Sequence, residues 1–248
     1  MPVLADLKEA SGPTISASQI TSYLLCPLKY RFHYIDKIPR PWKSVALAFG
    51  SAVHSALEAW QLSRLAGDEM PEEEACRMFL ADWEAELSGD VLLKDGEEPA
   101  VLAERGQSLI KLAMDALRPD KPEAVELPFL VDLFVPDNGG VLPVKLRGVF
   151  DLLLAGDRIV EMKTAAKRYD QTTVDRNLQL SAYHYAYTEL TGRAPEIHVV
   201  TLLKTKTPKV ETFKTTRSTA HTAWFLHLVR EVHAGITNNL FFPNPSWL

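Results

Sequence analysis

Residues 146–187 read LRGVFDLLLAGDRIVEMKTAAKRYDQTTVDRNLQLSAYHYAY, and the prediction of the fold depends on this stretch. Two apolar runs, Val149–Leu154 and Ile159–Met162, flank a short polar turn at 155–157. That pattern is typical of a β-hairpin whose strands are mostly buried. The sequence therefore predicts a buried hairpin here, and the other elements are placed relative to it.

Three charged side chains interrupt or adjoin these apolar runs, namely Asp151, Glu161 and Lys163. Carboxylates and ammonium groups rarely enter a core unless they are paired or bind a metal. Asp151 belongs to one strand, while Glu161 and Lys163 share one face of the other because side chains alternate along a strand. The three groups are therefore expected to converge, with the oxygen ligands that Mg²⁺ prefers. An isolated Glu-x-Lys is also typical of a solvated strand edge, and this alternative stays open.

A helix is predicted over Thr173–Leu190, where Gln179 and Tyr183 are four residues apart and so lie on one face. The motifs G-V-F-D, E-M-K-T and Q-L-S-A-Y, taken in this order, resemble the PD-(D/E)XK nuclease superfamily and, within it, the RecB-like exonuclease branch. The resemblance implies an α/β fold with a restriction-endonuclease-like core. In that fold a central mixed sheet is flanked by helices and preceded by an N-terminal helical portion.

The resemblance also implies the roles of the site residues. Asp151 and Glu161 are expected to bind a metal ion, and Lys163 is expected to serve the nucleophilic water. Gln179 and Tyr183 are expected to support the site and the nucleic-acid backbone. The implied cofactor is Mg²⁺ or Mn²⁺, and the implied partner is DNA, as single strands or DNA ends.

Three further metal ligands are expected. One is the main-chain carbonyl of Met162. A strong helix predicted at Val45–Ala66 contains G-S-A-V-H-S-A-L-E, which resembles the family's N-terminal helix motif and implies that His54 joins the metal site. A lone helical histidine is also typical of a hydrogen-bonded core or surface residue. Glu126, near the start of a strand predicted at Ala124–Val135, stands where the family often has a site carboxylate, or else pairs with a basic residue at the strand edge.

The cysteines bear on a possible iron–sulfur cluster. Residues 15–32, ISASQITSYLLCPLKYRF, resemble the N-terminal signature of RecB-like and AddB-like nucleases, in which iron–sulfur members carry the first of four cysteine ligands. Only Cys26 and Cys76 are present, so four thiolates are not available within this chain. We therefore expect no complete iron–sulfur site, with Cys26 a small buried apolar side chain or a remnant ligand. The chain is either a clusterless relative or one that ends just before the remaining ligands.

The length of 248 residues fits a single nuclease domain over 1–248. A helical portion is predicted at 16–120, including an acidic helical insertion at 67–120, and a sheet-bearing catalytic core at 121–240. No signal peptide or membrane-spanning run is seen, and two cysteines imply no disulfide framework. A cytoplasmic protein without membrane contact is expected.

Other elements are predicted from local signals. A helix begins at Ser16, which has capping-box spacing with Gln19, and is broken at Cys26. Tyr23, Tyr30 and Phe32 in this region are candidates for stacking on single-stranded DNA or for the core. The remaining predicted elements are helices at Leu28–Ile35, 71–88, 99–118 and Thr219–Ile236, a turn at 136–140, and a parallel strand at Ile197–Leu203. Trp224, Phe225 and Leu228 are expected to face inward.

The net charge of −5 conceals an uneven distribution. Residues 67–126 contain 17 acidic and 6 basic side chains, so the rest of the chain is basic. A basic nuclease body with an acidic insertion fits this split, although the insertion itself is more typical of a solvated helical face without a function. A basic segment that suits phosphate contacts, or forms only a solvated loop, contains Lys204, Lys206, Lys209, Lys214 and Arg217.

The function predicted from the sequence is metal-dependent hydrolysis of phosphodiester bonds in DNA. A RecB-like exonuclease in DNA repair, recombination or CRISPR adaptation is expected, with protein partners from such a complex. Two alternatives stay open: a catalytically idle DNA-binding or scaffold module of a larger repair complex, and a sequence-specific endonuclease of the same superfamily.

Overall fold

A computed structural model describes residues 12–94, 96–135 and 140–244. The helices are α1 Ala17–Leu25, α2 Pro27–Tyr30, α3 Val45–Ala66, α4 Glu72–Leu87, α5 Pro99–Leu117, α6 Gln171–Asp175, α7 Leu178–Thr191 and α8 Thr219–Thr237. The strands are β1 Thr14–Ile15, β2 Lys43–Ser44, β3 Val91–Leu92, β4 Pro122–Val131, β5 Lys145–Leu154, β6 Arg158–Ala165, β7 Glu196–Leu203 and β8 Lys209–Thr215. Apart from Gly140, the predicted turn at 136–140 lies outside the described residues.

The N-terminal helices follow their local signals. The hydroxyl of Ser16 accepts a hydrogen bond from the Gln19 N–H, and the Gln19 side chain accepts one from the Ser16 N–H, which confirms the capping box. After Cys26, α2 begins with Pro27 at its first position and passes into a π-helical segment at Arg31–Ile35.

The central sheet has the order β1–β5–β6–β7–β8, with β4 paired to the other edge of β5. The pairs β4–β5, β5–β6 and β7–β8 are antiparallel, whereas β6–β7 and β1–β5 are parallel. One face of the sheet packs against α1, α7 and α8, and the other packs against α3, α4 and α5. The predicted mixed sheet between helical layers is therefore confirmed.

The hairpin of β5 and β6 opens soon after its turn. The two strands pair only where Leu152–Leu154 faces Arg158–Val160. Beyond that point β6 continues beside β7, and the start of β5 pairs instead with Thr14 and Ile15 of β1. The divergence leaves a gap in the sheet that begins at Asp151.

The segment after β6 differs from the single helix predicted over Thr173–Leu190. It forms the two helices α6 and α7, because Asn177 starts a new helix by accepting a hydrogen bond from the Gln179 N–H. The Arg217 guanidinium fixes this break by donating to the carbonyls of Val174 and Asn177. Gln179 therefore stands in the first turn of α7 rather than within a longer helix.

Several predicted orientations are corrected or decided by the packing. Lys204 is buried, with its ammonium 5.1 Å from the centre of the Phe49 ring, and Arg217 is buried too, so neither is an exposed phosphate contact. Trp224, predicted to face inward, is 56% exposed because it lies on the outer side of α8, whereas Phe225 is buried. Of the candidate stacking residues, those in the core are Tyr23 and Tyr30.

None of the described helices is long and apolar enough to cross a membrane.

The contact between α4 and α5 gives a test of the helical layer. A Cβ atom added at Gly106 would lie 1.9 Å from the ring of Phe79, which is fully buried. Gly106→Ala should therefore destabilise the protein by about 1–3 kcal/mol, because a packed core accommodates added atoms poorly. The melting temperature measured by circular dichroism should fall by roughly 2–4 °C for each kcal/mol.

Gly89→Ala is the matched control. Its added Cβ would lie at an ordinary 3.5 Å from the carbonyl of Glu86. Equal melting temperatures for the two variants would contradict the close contact at Gly106.

Candidate active site

Asp151 lies where β5 diverges from β6. Its carboxylate takes the place of the backbone hydrogen bond that β5 no longer makes to β6. Its Oδ2 accepts a hydrogen bond of 3.0 Å from the Met162 N–H. Burial, followed by the nearby charge of Glu161, raises the pKa of Asp151 to about 8. The predicted meeting of Asp151 with the strand of Glu161 is therefore present in the fold.

Glu161 is almost completely buried, at 1% exposure. One of its oxygens, Oε1, forms an ion pair with the Lys163 ammonium, while the buried Oε2 has no hydrogen-bond partner among the described residues. Burial alone would lower the pKa of Lys163, but the carboxylates of Glu161 and Asp151 outweigh it and raise that pKa. Lys163 therefore carries a positive charge at neutral pH.

Helix α7 supports Lys163 from one side. The Lys163 ammonium donates to Gln179 Oε1 at 2.9 Å, and Gln179 Nε2 donates to the Tyr183 hydroxyl at 2.8 Å. Burial, together with the carboxylates of Glu161 and Asp151, raises the pKa of Tyr183, so the phenol keeps its proton. Both predicted α7 residues therefore belong to one network with the lysine.

Helix α3 approaches the site from the opposite face of the sheet. His54 Nε2 lies 2.9 Å from the Met162 carbonyl oxygen, so these two predicted ligands contact each other. Burial lowers the pKa of His54, and the neutral ring donates from Nε2 to this carbonyl. The approach is close because Gly50 faces β6, where an added Cβ would lie 3.0 Å from Thr164 Oγ1.

Glu126 stands opposite Asp151 in the neighbouring strand, between the pairs Val125–Leu152 and Leu127–Phe150. Its φ of 47° is in the left-handed region, which is strained for a residue other than glycine. Burial, with the charges of Glu58 and Glu161, raises the pKa of Glu126. The structure thus brings Glu126 to the site rather than to a basic partner at the strand edge.

Sequence reasoning missed Glu58. It lies one helical turn after His54 on α3 and contributes electrostatically at both His54 and Glu126. The spacing of four from His54 was the signal that could have found it. Tyr169, just beyond β6, was missed as well, and its phenol lies near enough to interact electrostatically with Lys163.

The fit of these residues to a divalent cation rests on their donor atoms. Among the described residues, no group of three or more His, Cys, Asp or Glu side chains already stands close enough to hold a metal ion. Nevertheless, the unpartnered Glu161 Oε2 and the raised pKa of Asp151 show concentrated negative charge that lacks a counter-charge. Carboxylate and carbonyl oxygens are the ligands that Mg²⁺ and Mn²⁺ accept, and an imidazole suits Mn²⁺. The donor set therefore fits such a cation.

Cys26, predicted as a small buried apolar side chain, is only half-buried. Its sulfur accepts a hydrogen bond from the Asn244 N–H at 3.4 Å. The N–H groups of Asn244, Lys29 and Leu28 lower the pKa of the thiol. The second cysteine, Cys76, is buried between α4 and α5, where it donates to a main-chain carbonyl. Both cysteines are free thiols.

Comparisons with solved structures show the fold. A crystal structure of a protein from Eubacterium rectale, described as a candidate exonuclease, superimposes with a TM-score of 0.55 at 13% identity, covering 97% of this chain and 86% of that one. The structure of SSO0001 matches 84% of each chain at 13% identity and a TM-score of 0.37. LHK-Exo in complex with dAMP matches 76% of this chain and 94% of its own at 11% identity and a TM-score of 0.32.

Comparisons of the sequence itself gave one family. A comparison with curated proteins found no match. The sequence model of the PD-(D/E)XK nuclease superfamily, in contrast, matches residues 14–247, from β1 through the segment beyond α8. It therefore spans the diverging hairpin, the α3 face and the α7 network that contain the candidate site residues. This chain belongs to the PD-(D/E)XK nuclease superfamily.

Proposed function

We propose that this protein is a metal-dependent deoxyribonuclease of the RecB-like exonuclease branch, which acts on single strands or DNA ends in repair, recombination or CRISPR adaptation. The observation that carries the proposal is the convergence of Asp151, Glu161 and Lys163 at the point where β5 and β6 diverge. Mg²⁺ or Mn²⁺ would be held by Asp151 and Glu161, with the Met162 carbonyl and His54 as further ligands.

The side chains of the site have separate roles in hydrolysis. When bound, a divalent cation supplies positive charge at the phosphate and makes water a better nucleophile. Lys163, which is charged at neutral pH, orients the water and stabilises negative charge that develops on the phosphoryl oxygens. Gln179 holds the lysine in place, and the Tyr183 hydroxyl fixes the orientation of the Gln179 amide.

Glu126 and Glu58 extend the acidic side of the site. Glu126 stands opposite Asp151 and interacts with the charges of Glu58 and Glu161, and its burial strengthens these interactions. They would increase the local attraction for cations and keep the phosphate backbone on the side of Lys163. Their role is thus to position rather than to react.

The catalytic prediction concerns Asp151 and Lys163. Asp151→Asn and Lys163→Ala should each lower the cleavage rate by at least about 100-fold, the scale found when one preorganised charge is removed from a transition-state site. Cleavage is measured as loss of labelled linear DNA with Mg²⁺ or Mn²⁺, and EDTA should abolish it. DNA binding should largely survive the lysine change.

Lys121→Ala is the control for Lys163→Ala, because Lys121 is an exposed lysine just before β4 and outside the basic segment. Circular DNA, digested in parallel, separates an exonuclease from an endonuclease. Undiminished cleavage by Asp151→Asn would remove the basis of the proposal.

A second prediction concerns stability without metal. The pKa of Asp151 is raised to about 8 in the folded state, against an ordinary value of 3.8, so between these values the folded protein holds a proton that the unfolded chain has released. Stability in EDTA should therefore fall as the pH rises through this window. Asp151→Asn removes the titrating group and should flatten the fall, with a higher melting temperature than wild type at pH 8.

Addition of Mn²⁺ at pH 8 should raise the melting temperature of the wild type and change that of Asp151→Asn far less, because a bound ligand stabilises the folded state. A Mn²⁺ response of equal size in both proteins would show that Asp151 does not take part in binding the cation.

A third prediction concerns His54. His54→Ala should weaken Mn²⁺ binding, measured by electron paramagnetic resonance of the free ion, and should lower activity with little change in melting temperature. The preference between the two metals should shift away from Mn²⁺, because the nitrogen ligand is lost. His54→Gln separates two roles, since an amide can still donate to the Met162 carbonyl.

If His54→Gln restores Mn²⁺ binding fully, the histidine acts only by holding the carbonyl. If His54→Ala melts much lower with unchanged metal dependence, it is a packing residue and the site is built by the hairpin alone.

A further inference from the structure

A groove of about 650 Å³ lies beside α3, outside the catalytic cluster. One wall consists of the segment Arg40–Lys43, and the floor includes Ser51 and Ser55 of α3. The opposite wall comes from α4 and the turn that follows it, with Asp82 and Asp90. Because Ser51 and Ser55 flank His54 in the sequence, the groove runs along the side of the helix next to the active-site face.

The groove is formed in advance by the small sheet of β2 and β3. Lys43 pairs with Val91 in that sheet, and its N–H donates to the Asp90 carbonyl at 2.8 Å. The Lys43 ammonium contacts both oxygens of Glu86 at 2.6 Å. This double contact neutralises the middle of the acidic wall and fixes the distance between the two walls.

The first wall carries an exposed aromatic ring and an arginine. The indole of Trp42 is 55% exposed and is therefore accessible to a ligand in the groove. Arg40 lies against the ring of His33, with its Nη2 at 3.3–3.4 Å from both ring nitrogens. Two cations line the groove, Arg40 and Lys43, and Lys43 is paired with Glu86. Exposed aromatic rings among cations are the usual features of single-strand binding surfaces.

The acidic residues of the second wall disfavour a duplex relative to a single strand. Within the part of the chain that the structure describes, the carboxylates of Asp82 and Asp90 form no ion pair. They repel phosphates, so a bound strand must lie with its backbone toward Arg40 and its bases toward the acidic wall. A duplex has two backbones, and the second would face these carboxylates. Carboxylates can instead accept hydrogen bonds from amino groups on unpaired bases.

We propose that this groove, defined by Arg40–Lys43, Ser51, Ser55, Asp82 and Asp90, binds a single DNA strand next to the active site, with Trp42 stacking on a base and Arg40 contacting the phosphate. This inference rests on the proposed nuclease function and assigns the substrate class of that site. It names two positioning residues that lie outside the catalytic cluster. The groove thereby selects unpaired ends over blunt duplex.

The test measures binding without cleavage. A fluorescein-labelled single strand of 12 nucleotides and a blunt duplex of the same sequence are titrated with the protein in EDTA, and anisotropy gives Kd. Trp42→Ala should raise Kd for the single strand about fivefold or more, the lower limit for the loss of one base stack. Kd for the duplex should change less than twofold, and Trp42→Phe should restore most single-strand binding.

Trp224→Ala is the matched control, because Trp224 on α8 is exposed to nearly the same degree, at 56%. It should leave both Kd values unchanged. Binding of the single strand should also quench tryptophan fluorescence in the wild type, and this quenching should be lost in Trp42→Ala. Arg40→Ala should reduce the slope of log K against log salt by about 0.7, the value for one phosphate contact on a single strand.

The inference is overturned if Trp42→Ala binds the single strand within twofold of wild type, or loses single strand and duplex equally. It is likewise overturned if Trp42→Ala changes only the oligomeric state, which would identify the groove as a protein interface. The proposed function is tested separately. If the protein binds the strand but does not cut it with Mg²⁺ or Mn²⁺, the assignment of the groove stands and the proposed nuclease activity is wrong.

Discussion

The hydrogen bond between the Asp151 carboxylate and the Met162 N–H is the contact on which the site depends. Past Val160, the strand β6 has β7 on one side only, and a main-chain N–H buried without a partner is costly. The carboxylate satisfies that N–H and so allows the two strands to separate. Separation in turn creates the space in which Glu161 and Lys163 face each other. The hydrogen bond of Asp151 thus accounts both for the opening of the sheet and for the positions of its charged side chains.

The cost of this arrangement is electrostatic. The carboxyl groups of Asp151, Glu161 and Glu126 lie close together in a region of low polarity, which raises the pKa of Asp151 and of Glu126, and Lys163 offsets only part of their repulsion. The surrounding packing holds the charges in place, with the Phe150 ring edge-on against Tyr183 at 5.2 Å. The site is rigid and its negative charge is only partly balanced, so a small cation can bind without rearrangement of the fold.

The sequence predicted the fold, and it named most of the residues that the structure brings together in the candidate site, because these signals are local. Apolar alternation and capping residues such as Ser16 define elements within one window, and the resemblance supplied the roles of residues like Asp151. The features that the sequence could not predict depend on contacts between distant segments. Arg217 fixes the break before α7 through carbonyls some 40 residues away, and Trp224 lies outward because its neighbours already fill the core. Glu58 had a local signal, but only the fold brings it beside Glu126.

Hydrogen bonds between the N-terminal helix and the segment after α8 have a consequence for biosynthesis. The Tyr23 hydroxyl donates to the Leu240 carbonyl, and the Asn244 side chain donates to the Leu25 carbonyl, across 217 and 219 residues of sequence. Contacts of such separation close late, because the intervening chain must first be ordered. As the polypeptide leaves the ribosome, the apolar side of α1 around Ile20 stays uncovered until α7 and α8, which pack against α1, emerge. That helix is therefore the surface a nascent-chain chaperone has the longest opportunity to hold.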